Sequence, residues 1–286
     1  MTSKPEIIGE HILNRALDRN KDYGGILSEV TGAQGTSKTS VLLSITNHTK
    51  MLHPKEKIFW REQLNAPLQI FKLGEGNYDF WIKHSANIVF RDRDKHLKEL
   101  NLHAKFFTTY KELYEKVEPG KANVIFFDDN YEWMDFISYL REVGEWVNVF
   151  IDEMADICPS VNAGTLFTRI RDFSSVMGAV RRCMMNVFYN TQTAQDVDWK
   201  IRKKVMLKIF LPGAIKDKSS RVTQEAIDNL IKDTVRGNEA YLDLGGEFGK
   251  VRFTDIYKPV NGYHIEAHPL FMACDDNANG QTAPAA

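Results

Sequence analysis

Residues 26–39 read Ile26-Leu27-Ser28-Glu29-Val30-Thr31-Gly32-Ala33-Gln34-Gly35-Thr36-Ser37-Lys38-Thr39. An apolar run is followed by a loop of small residues, and a lysine and a threonine then open a helical pattern. Strand, loop and helix in this order are the context of a phosphate-binding loop. Glycines let the backbone curl so that successive N–H groups point inward at phosphate oxygens, and the helix N-terminus adds its positive end. Gly32, Ala33, Gln34, Gly35, Thr36, Ser37, Lys38 and Thr39 are therefore the expected nucleotide-binding residues. Lys38 is expected to bridge the β- and γ-phosphates of ATP, and the Thr39 hydroxyl to hold Mg²⁺. The departure from the usual pattern is Ser37, where glycine ordinarily precedes the lysine. The competing reading is a plain helix-capping turn, because Thr36 and Ser37 are both good N-caps.

Short apolar runs alternate with helical patterns outward from this loop. Strands are expected at 26–30, 57–60, 87–90, 122–127, 147–151, 186–189 and 206–211. Helices are expected at 38–49, 96–100, 110–116, 133–143, 163–184 and 195–203. This alternation implies an α/β fold with a mostly parallel sheet and helices on both faces. A helical segment is expected within 1–24. The main domain is expected over 25–272, with a further helix at 223–235 and a hairpin near 239–254 around Gly245-Gly246. Residues 273–286, rich in Asn, Gly, Ala and Pro, are expected to be a disordered tail.

Val147-Asn-Val-Phe-Ile151 is an apolar strand followed directly by Asp152 and Glu153. A strand end places such acids at the carboxyl edge of the sheet, where ligands of open α/β folds bind. Asp152 is expected to organise Mg²⁺, and Glu153 to polarise an attacking water. The bland alternative is two solvated acids. Asp128-Asp129, after the strand at 122–127, is a rival pair.

Composition limits the possibilities. Hydrophobic residues make up 43% and charged residues 26% of the 286, as in soluble globular chains. The formal net charge is −1, so no overall basic field holds nucleic acid and any contact must use local patches. Cys158, Cys183 and Cys274 lack metal or disulfide spacing. No apolar run is long enough to span a bilayer, and the first residues do not look like a signal peptide. A cytoplasmic protein is the expectation: host cytoplasm, or a virion, if the source is viral.

Arg181-Arg182-Cys-Met-Met-Asn-Val-Phe-Tyr-Asn-Thr191-Gln192 is a basic helix end leading into an apolar strand that stops at an amide. A helical pattern with Asp198 and Ile201 follows, then another strand. With the loop at 32–39 and the acids at 152–153, this order resembles the FtsK/HerA superfamily of DNA-pumping P-loop ATPases, viral genome-packaging ATPases included. The resemblance covers 26–39, 147–153 and 181–212. It implies a RecA-like (ASCE) P-loop NTPase that hydrolyses ATP with Mg²⁺ and moves double-stranded DNA as a homo-oligomeric ring, expected to be a hexamer, docked on a capsid or membrane protein. It implies that Asp152 is the Walker B acid, Glu153 the catalytic base, Gln192 the sensor of the γ-phosphate, and Arg181 the arginine that reaches a neighbour's nucleotide. The family's usual arginine after the sensor glutamine is replaced by Thr193, so Arg182, Arg169, Arg171 and Arg202 are further candidates for that reach. Gln192 also has a case of its own, since an amide at a strand end beside carboxylates can bond both water and phosphate. Lys200, Arg202, Lys203, Lys204 and Lys208 form a basic stretch able to touch phosphates. The runner-up reading is a P-loop assembly ATPase acting on protein, resembling zonula occludens toxin.

Overall fold

The computed structural model describes residues 5–19, 24–95, 98–100, 102–161, 163–216, 218–231, 239–253 and 265–269. Its strands are β1 Leu27–Thr31, β2 Lys57–Arg61, β3 Tyr78–Lys83, β4 Ile88–Asp92, β5 Lys98–Leu100, β6 Ala104–Phe107, β7 Ala122–Phe126, β8 Val147–Ile151, β9 Met185–Thr191, β10 Leu207–Phe210, β11 Glu239–Leu244, β12 Glu247–Arg252 and β13 Ile265–Pro269. The helices are α1 Pro5–Leu17, α2 Lys38–Leu52, α3 Tyr110–Lys116, α4 Glu132–Val143, α5 Gly164–Ala179, α6 Trp199–Arg202 and α7 Gln224–Asp228.

A ten-stranded sheet runs in the order β12-β11-β10-β1-β9-β8-β2-β7-β3-β6. From β10 to β6 every neighbouring pair is parallel, whereas β11 and β12 add antiparallel to one edge. β1, β7, β8 and β9 are buried along their whole length, as expected of parallel strands covered on both sides. Alternate side chains serve two apolar layers. Val30, Trp60, Phe150 and Phe188 pack with Ile12, Val41 and Ile45 of α1 and α2. Phe59, Val149, Ile151 and Val187 pack with Leu113, Phe136 and Ile170 of α3, α4 and α5. The α/β architecture with helices on both faces is thus the one the sequence implies. One strand, β9, lies between β1 and β8.

α1 lies against the antiparallel edge. Gly9 makes this possible: a Cβ there would stand 2.2 Å from the Lys250 carbonyl oxygen of β12. β11 and β12 form the expected hairpin, and β12 starts directly after Gly245-Gly246, both at positive φ (61° and 95°).

Several elements differ from expectation. The segment 98–100, expected to be helical, is strand β5, and residues 96–97 lie outside the described residues. It joins β4 and β13 in a separate three-stranded antiparallel sheet, which packs Phe90 against Phe80 and Phe126 of the main one. β3, β6 and β13 are additions to the expected set. The helix expected at 195–203 is broken: a capping box between Thr193 and Asp196 closes one short turn, and Asp198 caps α6 separately. The helix expected at 223–235 is seen at Gln224–Asp228, with 232–235 and the tail 273–286 outside the described residues.

Candidate nucleotide-binding site

β1, β9, β8 and β2 point their C-terminal ends at one edge, with Thr31 opposite Thr191, Ile151 opposite Tyr189, and Arg61 opposite Ile151. The loop at 32–37 rises from β1 and turns into α2. It is closed by Thr36, whose Oγ1 donates to the Ala33 carbonyl at 2.7 Å, and it is tied to the chain after β10 by Ala33 N donating to Pro212 O at 3.1 Å. Lys38 Nζ folds back on the loop, 3.1 Å from Gly32 O and 3.2 Å from Ala33 O. Burial lowers the Lys38 pKa, and the charges of Glu153 and Asp152 oppose that shift.

Ser37 has left-handed backbone, φ 61° and ψ 38°. This is the conformation in which glycine loses least, and it costs an L-residue about 1 kcal/mol. It explains physically why the position before the lysine is ordinarily glycine. Ser37 stands at the N-cap of α2 without a side-chain cap bond, so the capping-turn alternative does not describe its role.

The acids at 152–153 meet this loop. Thr39 Oγ1 donates to Asp152 Oδ1 at 2.8 Å. Asn190 Nδ2 donates to the same oxygen at 2.6 Å, while Asn190 Oδ1 accepts from Glu153 N at 2.7 Å. One amide therefore holds both acids. Burial raises the pKa of Asp152, and the bonds from Asn190 and Thr39 counter it. Burial also raises that of Glu153, against a hydrogen bond from Thr191. Glu153 has left-handed backbone as well, at φ 59°. Strain of this kind persists only where surroundings over-determine it. Here Arg61, 2% exposed, is the clamp. Its guanidinium donates to the carbonyls of Asp152 and Glu153 and, at 2.8 Å, to Asp156 Oδ2.

Glu62, next in the chain, is 3% exposed and accepts from Trp60 Nε1 and Gln69 N. Burial, then the nearby Asp152 charge, push its pKa up to about 8. Lys72 counters this charge and donates to Ser40 Oγ of α2 at 3.1 Å. Asn190, Arg61, Glu62 and Lys72 belong to no short motif. Strand ends were the available signal, since Arg61 ends β2 and Asn190 lies next to the end of β9.

The other sequence candidates fall elsewhere. Gln192 is exposed just beyond β9, and Asn190, two residues earlier, makes the carboxylate contact. The Arg181 carbonyl accepts from Gly25 N at 3.1 Å, at the N-terminal end of β1. It is one five-residue strand, roughly 16 Å, from the loop at 32–37. There Arg181 lines a cavity of about 680 Å³ with Arg15, Lys208, Asp243 and Glu247. Arg169 bonds Asp135, and Arg171 bonds Asp172. Asp128 pairs with Lys83 at 3.2 Å, and Asp129 Oδ1 accepts from Glu132 N at the start of α4. Neither acid of the rival pair bonds the loop among the described hydrogen bonds.

Thr39 and Asp152 offer hard oxygen ligands at contact distance, which suits Mg²⁺ held together with substrate phosphates. No helix among the described residues is long and apolar enough to cross a membrane.

No protein-family model and no curated protein matches this sequence. Solved structures similar to it include the genome packaging NTPase B204 of Sulfolobus turreted icosahedral virus 2 in complex with AMPPCP, at 11% identity and a TM-score of 0.49, covering 80% of this chain and 97% of that one. The pCW3 conjugation coupling protein TcpA, in its monomer form, is 14% identical with a TM-score of 0.45, covering 82% and 61%. The N-terminal domain of zonular occludens toxin from Neisseria meningitidis is 14% identical with a TM-score of 0.36, covering 81% and 94%. At these values none of them lends its function to this chain.

Proposed function

We propose that this chain hydrolyses ATP and uses the turnover to move DNA as a ring of identical subunits. The observation that carries the hydrolase reading is the 2.8 Å contact between Thr39 and Asp152, with Glu153 next in the chain. Backbone N–H groups of residues 32–37 cradle the phosphates. Lys38 then leaves its loop carbonyls for the β- and γ-phosphates and neutralises charge there. Thr39 and Asp152 would hold Mg²⁺, which would supply charge neutralisation at the phosphate oxygens. Glu153, its pKa raised by burial, is the base that accepts a proton from water, and Asn190 ties its backbone to the Asp152 carboxylate.

The DNA reading rests on the sequence order over 181–212, which resembles DNA-pumping ATPases and implies a duplex track. Arg181 stands a strand's length from its own loop, so any action it has on nucleotide is on a neighbouring subunit's.

Phosphate release with and without double-stranded DNA, over a range of protein concentrations, tests this reading. We expect wild-type turnover to rise with DNA and with concentration, and Lys38→Ala to abolish it. Unchanged turnover in Lys38→Ala would overturn the hydrolase reading. Turnover indifferent to DNA would shift the reading to an assembly ATPase acting on protein.

A further inference from the structure

Trp199 and Phe167 are 56% and 44% exposed, and each carries a lysine on its face. Lys203 Nζ lies 4.3 Å from the Trp199 ring centre, and Lys200 Nζ lies 4.1 Å from the Phe167 ring centre. Cation–π contacts at exposed rings contribute about 0.5–1 kcal/mol, enough to keep the ammonium groups near the rings and little enough for them to be displaced. Lys200 is also held by Asp198 at 3.6 Å, and Lys203 faces solvent. The result is two exposed aromatic rings, each with an ammonium group over its face, on a protein whose net charge is −1.

The mounting of this surface matters as much as its chemistry. The segment after Glu153 and the segment after β9 are joined directly beneath α6. Pro159 bridges to Val197, Ser160 N donates to Asp196 O at 2.8 Å, and Asp198 N donates to Cys158 O at 2.9 Å. Trp199 is the next residue. Both chain segments that leave the acid-bearing edge of the sheet therefore converge on the aromatic surface.

We propose that Trp199, Phe167, Lys200 and Lys203 form a binding platform for single-stranded DNA, with a base replacing the Lys203 ammonium over the Trp199 ring and the lysines pairing with adjacent phosphates. This rests on the DNA reading above and goes beyond it. A partner for this surface must bring flat apolar faces and negative charge together, which a nucleic-acid strand does at every nucleotide. A duplex keeps its base faces stacked inside, so the indole engages an unpaired strand.

The test is fluorescence anisotropy of a labelled oligo-dT and of a labelled duplex, titrated with full-length protein at several salt concentrations. Trp199→Ala should weaken oligo-dT binding about tenfold or more, and Trp199→Phe should retain it within about threefold. Lys203→Gln should reduce the slope of log affinity against log salt by about 0.7. Duplex affinity and basal ATP turnover should not change in Trp199→Ala. Wild-type oligo-dT affinity in Trp199→Ala overturns the platform, as does an equal loss for duplex. So does a change of sedimentation in Trp199→Ala, which would make the patch a contact between copies. If the wild type does not bind oligo-dT, the platform is overturned while duplex-stimulated turnover still tests the motor.

Discussion

β7 leads into Asp128-Asp129 and β8 into Asp152-Glu153, both toward the same edge of one parallel sheet. Asp152 is 6% exposed and bonded to Thr39 and Asn190. The Asp128 side chain is 37% exposed and bonded to Lys83 and Ser85. The difference lies in sheet order. β8 is two places from β1, and β7 is four places from it, roughly 19 Å at ordinary strand spacing. An acid pair at a strand end acquires its chemistry from the strands beside it, and β7 lies beside neither β1 nor β9.

The largest expected effect breaks this comparison directly. Glu153→Gln should bind ATP and hydrolyse it at least ~100-fold more slowly, while Asp128→Asn and Asp129→Asn should leave kcat within about twofold, as surface changes do. Steady-state phosphate release decides it, and the reverse pattern would exchange the roles of the two pairs.

A smaller loss is expected from Asn190→Ala. Its amide touches the Asp152 carboxylate and the Glu153 backbone, and no equivalent amide serves Asp128 among the described bonds. Supporting partners of this kind typically contribute 10–100-fold, so kcat should fall by about that factor. ATP affinity, followed by nucleotide fluorescence, should change less. An unaltered kcat would show that the acids hold their geometry without the bridge.

Glu62 sharpens the contrast through pH. Its pKa is raised from 4.5 to about 8 in the folded protein, so folding retains a proton there that the unfolded chain has released. The associated stability is greatest below 4.5 and is lost as pH rises toward 8. Glu62→Gln should remove this dependence and stabilise the protein at pH 8, relative to pH 5, by on the order of 3 kcal/mol. Denaturant midpoints at the two pH values measure it. Parallel pH dependence in wild type and variant would show that Glu62 does not titrate in this range.

The smallest effect is expected at Ser37. Ser37→Gly relieves the left-handed backbone and should raise stability by about 1 kcal/mol. Thermal unfolding checks it, and a loss of stability would mean that the serine side chain compensates for its strain.

Much of the architecture is legible in local pattern. The buried runs of β1, β8 and β9, the glycine turn between β11 and β12 and the loop at 32–39 all announce themselves within a few residues. Local pattern misled where neighbours decided. Residues 98–100 became a strand because β4 offered backbone partners. The stretch 195–203 broke because Asp196 and Asp198 both bond backbone N–H groups.

The sequence by itself determined that a loop of small residues precedes a helix and that several strands end in acids. Hydrophobic period and loop chemistry are properties of short segments, so they can be read from short segments. Only the tertiary structure decided that Asp152 meets Thr39, that Asn190 spans both acids, that Arg61 is buried beneath them and that Arg181 lies at the far edge. These follow from which strands become neighbours, and strand order is set by burial across the whole sheet. A hydrogen bond between residues 39 and 152 is a consequence of that order, with no local signature in either segment.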